Sequence, residues 1–394
     1  MLADRLVESP SPMASPETGH ARLRDQRALH ARVRELAGTT ADLSMRYKAA
    51  KQIIRAFRKP AFYEVTQRCN LFCEGCYYFE GGLGEVVRET ADAAAWKRFY
   101  AEEAARGVTM AYFVGAEPAL HQERLLAAAP MFPYGNIGTN GTIAIHPDVP
   151  YRIGVSLWAG DDATDRTLRG ASVFRKAFRN YEGDPRAIML FTLSPWNLDT
   201  VASVAQMCRD HGLPLTFNMY SPTTTFLSKL ASGAPHDDRY FRVSAPGHTP
   251  CFSADDLERT RDRVESLMED YPDTIIYSKA YNAWATRPGP LHDIDPDSGI
   301  ATHCGSRVIG AMKYYGANLQ PKSAKCGTSD VDCSTCRMYS GGWSSKFQPT
   351  PQDLESSATF EAWLEMIEVL GKIFLYRDPR RRGYGRLEAM EAAE

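Results

Sequence analysis

The 394-residue sequence predicts an α/β fold: an open, partial (βα)6 barrel followed by a small cysteine-rich C-terminal domain. Three observations carry this. Between residues 61 and 220, apolar strand-like runs alternate with helical ones, the pattern of a parallel sheet wrapped by helices. Seven of the nine cysteines fall into two groups, Cys69, Cys73 and Cys76, then Cys304, Cys326, Cys333 and Cys336. The composition, 44% hydrophobic and 24% charged, is that of a globular chain long enough for a barrel-sized core and a smaller domain.

Composition also narrows the partners. Lys and Arg number 46 against 48 Asp and Glu, so the overall field does not favour nucleic acid. No apolar run is long enough to cross a bilayer, and no charged-then-apolar signal opens the chain. The expectation is a soluble, cytoplasmic protein with no membrane partner. In that compartment clustered cysteines read as metal or catalysis rather than disulfides.

The elements follow in order. Residues 1–20, rich in Pro, Ser and Thr, read as disordered, and 21–58 as helices, together an N-terminal extension over 1–58. The barrel core spans 59–222. Its strands are expected at 61–66, 108–115, 134–141, 151–160, 186–195 and 213–222. Its helices are expected at 90–107, 121–132 and 197–212, and the stretch 162–180 reads as helical at both ends. Residues 223–289 form an irregular connection that resumes a helix at 254–270. Residues 290–346, with the second cysteine group and many Gly, Ser and Asp, read as a small domain organised by metal rather than by a core. A last helix at 353–375 leads into the basic run 377–386, within a C-terminal segment spanning 347–394.

Cys69, Cys73 and Cys76 follow the first strand at once, where loops of βα barrels carry chemistry. Their i, i+4, i+7 spacing also fits three buried thiols on one helix face. Structural zinc normally takes four protein ligands, and no histidine stands close by in sequence. Three thiolates on one loop suit a [4Fe–4S] cluster whose fourth iron is left open. The spacing alone leaves these readings side by side.

The order of motifs resembles the radical S-adenosylmethionine (SAM) superfamily over residues 58–220. It runs C-x-x-x-C-x-x-C after the first strand, "VGAEP" (114–118) after the second and "TNG" (139–141) after the third, then "VSLWAGDDATDRTLRG" (155–170). The resemblance implies that Cys69, Cys73 and Cys76 ligate a catalytic [4Fe–4S] cluster whose open iron binds SAM. It implies that Gly115, Ala116, Glu117 and Pro118 approach the methionine amino group, chiefly through backbone. Ser156 would face the ribose or carboxylate, Arg169 would pair with the carboxylate, and Asn140 would stand in the same pocket. Many members carry an aromatic residue just before the third cysteine. Gly75 stands here, as in relatives acting on aminoglycosides and hopanoid precursors, which leaves adenine to Tyr77 or Tyr78.

Cys304, Gly316, Cys326 and Cys333-x-x-Cys336 fit a zinc ribbon by spacing alone. Beside the first motif they resemble the SPASM and twitch extensions of the same superfamily, which implies one auxiliary [4Fe–4S] cluster. Cys251, before a helix start, is a candidate hydrogen-atom donor; Cys208 reads as a packed helix residue. The implied activity is reductive cleavage of SAM to a 5′-deoxyadenosyl radical that takes hydrogen from a small-molecule substrate of specialised metabolism. Net oxidation is favoured, with electrons from a flavodoxin- or ferredoxin-type donor. A ribosomal-peptide maturase, a redox-neutral epimerase and a sulfur-transferring enzyme are the alternatives. Outside that class stands a non-enzymatic zinc or electron-transfer protein. Residues 1–60 are short and helical for a leader-binding winged-helix domain, which turns the expectation toward a small molecule.

Overall fold

The computed structural model describes residues 16–78, 87–233, 239–327 and 331–379. Two compact units emerge, one of residues 1–50 with 349–364, the other of 51–348 with 365–394. The first is helical: α1 (Pro16–Ala37), most of α2 (Ala41–Ala56) and a 3-10 turn at Gln352–Leu354. Arg32 Nε donates to the Leu354 carbonyl at 3.0 Å, and the Tyr47 and Phe360 rings lie 6.1 Å apart.

The second unit holds the sheet. Its elements are β1 (Pro60–Glu64), α3 (Ala93–Ala105), β2 (Met110–Val114), α4 (Gln122–Ala128), β3 (Tyr134–Thr139) and β4 (Arg152–Leu157). Then come α5 (Asp162–Arg169), α6 (Phe174–Tyr181), β5 (Ala187–Leu193), α7 (Val201–Asp210), β6 (Leu215–Met219) and α8 (Thr224–Ser232). Last are α9 (Ala254–Asp270), α10 (Lys279–Ala285), β7 (Lys313–Tyr315), α11 (Tyr339–Ser344) and most of α12 (Ser357–Phe374). The sheet order is β6-β5-β4-β3-β2-β1-β7, and every pairing is parallel. The sheet is open, as the sequence predicts.

The strands form because both faces are covered, which a parallel sheet requires. On β1, Phe62 stacks on Tyr112 at 4.7 Å, while Tyr63 meets Tyr100 and Phe132 at 5.4 and 5.5 Å. The register pairs Glu64 with Val114 and Thr139 with Val155, bringing the carboxyl ends of neighbouring strands to one edge. Helix ends are capped where the sequence signals them. Asp161 accepts from the Thr164 N–H at 2.8 Å to start α5, and Gly170, at φ 79°, ends it.

Several expectations need correction. Helix α1 begins at Pro16, so residues 16–20 are ordered as helix; residues 1–15 and 380–386 lie outside the described residues. As expected, no helix joins β3 to β4, where "GTIAIHPDVP" carries two prolines that remove helical donors. Helix α8 lies where an irregular stretch was expected. Thr223 caps it through the Phe226 N–H, and Gly233, at φ 59°, ends it. The cysteine-rich segment is less independent than its composition suggests. It contributes β7 to the edge of β1, and Trp343 stacks on Tyr281 at 3.7 Å. It also reaches the opposite edge, where the Arg337 N–H donates to Ser221 Oγ and the Tyr339 N–H to Asn218 Oδ1, at 2.8 and 3.2 Å. Among the described residues no helix is long and apolar enough to cross a membrane.

Candidate active site

The loop carrying Cys69, Cys73 and Cys76 leaves the carboxyl end of β1 and is sewn to its neighbours. The Ala116 N–H donates to the Thr66 carbonyl at 3.0 Å, and the Glu117 N–H to the Arg68 carbonyl at 2.9 Å. This approach requires Gly115: at φ 141°, a Cβ there would sit 2.6 Å from the Thr66 carbonyl oxygen. Farther along, the Phe72 N–H donates to the Arg169 carbonyl at 3.3 Å and the Glu74 N–H to that of Leu168 at 2.7 Å. The end of α5 therefore fixes the middle of the loop. Gly75 is needed as well, since a Cβ would lie 2.2 Å from the Tyr220 hydroxyl oxygen.

All three thiols are half-buried. Burial pushes the Cys69 thiol up to about 11, and Cys73 and Glu117 push the same way. Two donors face its sulfur: the Leu71 N–H at 3.4 Å and Asn140 Nδ2 at 3.7 Å. Asn140 thus meets the cysteine loop directly. Its Nδ2 also donates to Asn70 Oδ1 at 2.8 Å, and its Oδ1 accepts from the Thr142 N–H at 2.9 Å.

Glu117 is fully buried and its side chain is committed. Oε1 accepts from the Ala119 N–H at 2.9 Å and Thr139 Oγ1 at 2.7 Å, and Oε2 accepts from the Asn140 N–H at 2.6 Å. Burial raises its carboxyl above the ordinary range, only partly offset by these donors and Arg169. Its physical job is to lock the ends of β2 and β3 together. Arg169, also buried, donates through Nη1 to the Ser156 carbonyl at 2.8 Å and through Nη2 to the Asn140 carbonyl at 3.3 Å. Among the described residues its Nε has no hydrogen-bond partner, and neither has Oδ1 of buried Asp165 one turn earlier. Both atoms are sealed from solvent, so Arg169 and Asp165 form a buried pair of opposite charge at the end of α5.

Tyr77 and Tyr78 follow Cys76 with rings 4.4 Å apart. Burial and then Tyr314 raise both phenols; the hydrogen bond from Tyr78 offsets part of this for Tyr77, while Tyr77 adds to the rise at Tyr78. They stand with Glu64, whose Oε2 accepts from Lys322 Nζ at 3.2 Å, on the β1–β7 side. Cys304, Cys326, Cys333 and Cys336 line one cavity together with His292. Burial raises the Cys336 thiol to about 12, with the other three adding to it; burial and then Lys346 and Arg287 lower His292 to about 4. Gly341 permits this closeness, since a Cβ there would lie 3.0 Å from Cys304 Sγ. Among the described residues no three His, Cys, Asp or Glu side chains converge on a point fit for one metal ion. A [4Fe–4S] cube takes its thiolates on separate irons, so it asks for no such point. Cys251 is exposed, two residues before the Ser253 cap of α9, and Cys208 is buried in α7.

No family model matches the chain, and no curated protein matches it. Solved structures do. SuiB of Streptococcus suis bound to S-adenosylmethionine is 13% identical, with TM-score 0.47, over 77% of this chain and 71% of that one. SuiB bound to the precursor peptide SuiA is 12% identical, with TM-score 0.46, over 95% and 80%. Native anSMEcpe with bound AdoMet is 13% identical, with TM-score 0.45, over 83% and 88%. At this level no residue correspondence follows.

Two carboxylates at this site, half-buried Glu89 and buried Glu74, carried no signal in the spacing of cysteines. Glu89 accepts from Thr66 Oγ1 and the Gln67 N–H, both at 2.8 Å, and from Arg124 Nη1 at 2.6 Å, steadying the entry to the loop. Glu74, between the second and third cysteines, is 1% exposed and accepts from residues 242–244. A carboxylate placed inside C-x-x-x-C-x-x-C reads from sequence as one more polar loop residue; its partners lie about 170 positions away.

Proposed function

We propose that this chain is a radical SAM enzyme. The observation that carries the reading is the placement of three half-buried thiols on a loop at the carboxyl edge of an open parallel βα sheet. Cys69, Cys73 and Cys76 would hold the catalytic [4Fe–4S] cluster, and the Arg169 guanidinium would pair with the SAM carboxylate. Gly115, Ala116 and Pro118 would line the SAM site through backbone, while the Glu117 carboxylate keeps that backbone in place. Ser156 stands beside Arg169, and Asn140 donates toward Cys69 and tunes it. Tyr77 and Tyr78 are the aromatic residues offered to adenine. When bound, cluster and SAM together supply a 5′-deoxyadenosyl radical, able to take hydrogen from an unactivated carbon.

Residues 59–222 form the catalytic core in this reading, and 290–346 hold one auxiliary [4Fe–4S] cluster on Cys304, Cys326, Cys333 and Cys336. The substrate class is a small molecule in specialised metabolism, oxidised overall in the cytoplasm, with a flavodoxin- or ferredoxin-type electron donor. Four grouped cysteines suit a centre that takes up an electron, against the lone exposed Cys251 as a hydrogen donor, which supports oxidation over epimerisation. The test is anaerobic reconstitution with iron and sulfide, then assay of 5′-deoxyadenosine with a chemical reductant. Iron binding with SAM cleavage is expected; protein that holds only zinc and leaves SAM intact refutes the reading.

A further inference from the structure

Glu74 is a charged side chain sealed inside the three-cysteine loop, and none of the roles above uses it. Its Oε2 accepts from the Arg242 N–H at 2.6 Å and the Val243 N–H at 3.4 Å. Its Oε1 accepts from the Ser244 N–H at 3.1 Å and from the Ser244 hydroxyl. One carboxylate therefore takes up three consecutive backbone donors and a hydroxyl, the concave arrangement in which successive N–H groups hold an anion. The same segment is bonded back to the loop from its own side. The Gly75 N–H donates to the Tyr240 carbonyl at 3.0 Å. Arg242 donates through Nη2 to the Phe72 carbonyl and through Nε to the Thr167 carbonyl, each at 2.6 Å. Residues 240–244 thus form a strap bonded to the loop and to α5, while Asn140 donates to the Cys69 sulfur.

We propose that Glu74 is the positioning residue of the three-thiol site: it anchors the strap that fixes Cys73 and Cys76 and keeps solvent from them. This rests on the reading of Cys69, Cys73 and Cys76 as the ligands of the catalytic cluster. The carboxylate is required for its acceptors, not its bulk. A Gln at 74 has one acceptor oxygen, and its NH2 group would confront a backbone N–H. Partners that orient metal ligands from outside typically cost about 10- to 100-fold in metal affinity when lost.

The test compares full-length wild type with Glu74→Gln, prepared anaerobically. Two quantities are read: iron retained at each cysteine group, by chelator competition and Mössbauer spectroscopy, and alkylation rates of Cys73 and Cys76 by iodoacetamide in the metal-free protein. In E74Q, chelator should strip iron from the first site about tenfold more readily. Cys73 and Cys76 should alkylate about tenfold faster than in wild type, while Cys304, Cys326, Cys333 and Cys336 keep wild-type iron and reactivity. A general loss of structure would move both sites together. Should E74Q not fold, Ser244→Ala, which removes only the hydroxyl, should raise alkylation of Cys73 and Cys76 in the same direction while Cys304, Cys326, Cys333 and Cys336 keep wild-type reactivity. Wild-type alkylation rates in the folded variant overturn the proposal. A wild type that takes no iron at the first site refutes the cluster reading instead, and the alkylation ratio still decides the role of Glu74.

Discussion

Replacing Glu117 with Gln separates two jobs that the "VGAEP" segment could do, contacting a ligand and bracing a backbone. The carboxylate takes three hydrogen bonds in a fully buried position, two on Oε1 and one on Oε2. A Gln amide can keep its oxygen on only one side. With the oxygen toward Ala119 and Thr139, its NH2 faces the Asn140 N–H, leaving one buried donor unsatisfied at a cost of about 1–3 kcal/mol. The reverse orientation strands the Ala119 N–H, while Thr139 can turn to accept, so the cost is similar. Removing the charge gives some of this back, since burial already disfavours the ionised form. The net expectation is a loss of about 1–2 kcal/mol. Urea unfolding of the anaerobic protein would show it as a lower midpoint with unchanged slope. Because Asn140 donates to Cys69, the shift should also slow SAM cleavage while leaving its KM for SAM nearly unchanged. Wild-type stability combined with a KM raised more than about tenfold would refute the bracing role and place the carboxylate on the ligand.

Three further outcomes are expected. Reconstituted wild type should bind about eight irons; Cys69, Cys73 and Cys76 changed together to Ala should halve this and abolish 5′-deoxyadenosine, as iron analysis and chromatography would show. Cys251→Ala should leave iron content and SAM cleavage at wild-type levels; stalled turnover with solvent deuterium in the product would favour an epimerase. Glu103 joins β1, β7 and α3 by accepting from Tyr63 and Tyr315 at 2.9 Å each and from Arg106 at 2.6 Å. Burial pushes its carboxyl up, but Arg106 and the two tyrosines outweigh burial and hold it below the ordinary value. Its stabilisation is therefore full above the unfolded glutamate value near ~4.3 and is lost as pH falls through the depressed folded value. Glu103→Gln should cost about 2–3 kcal/mol at neutral pH and remove that part of the acid dependence, measured by thermal melts across pH.

The residues that bring chemistry announce themselves locally. Alternation of apolar runs is enough to foretell a parallel sheet, because each strand must bury both faces. Cys69, Cys73 and Cys76 stand within one loop, so their nearness follows from spacing. Four thiols spread from Cys304 to Cys336 line one cavity, as their grouping suggests. Gly115 and Gly75 could be noticed as glycines, but the carbonyl and hydroxyl that exclude a side chain come from other segments.

What the chain order hides is everything held by partners far away. The sequence by itself determined the strand rhythm and the two cysteine groups, since each depends on residues within a few positions, but not helix α8. Only the tertiary structure decided that the cysteine-rich segment supplies β7 and reaches both edges of the sheet. Only it shows that the Glu117 carboxylate takes donors from Ala119, Thr139 and Asn140, and that the Arg169 guanidinium is buried against the Ser156 and Asn140 carbonyls. Glu74 shows the reason most plainly. A carboxylate in a loop has no preferred partner in sequence, and whether it is solvated or sealed beneath residues 242–244 is settled by burial across 170 positions. Local patterns encode propensity and spacing, whereas desolvation and hydrogen-bond satisfaction exist only once the fold has brought distant groups together.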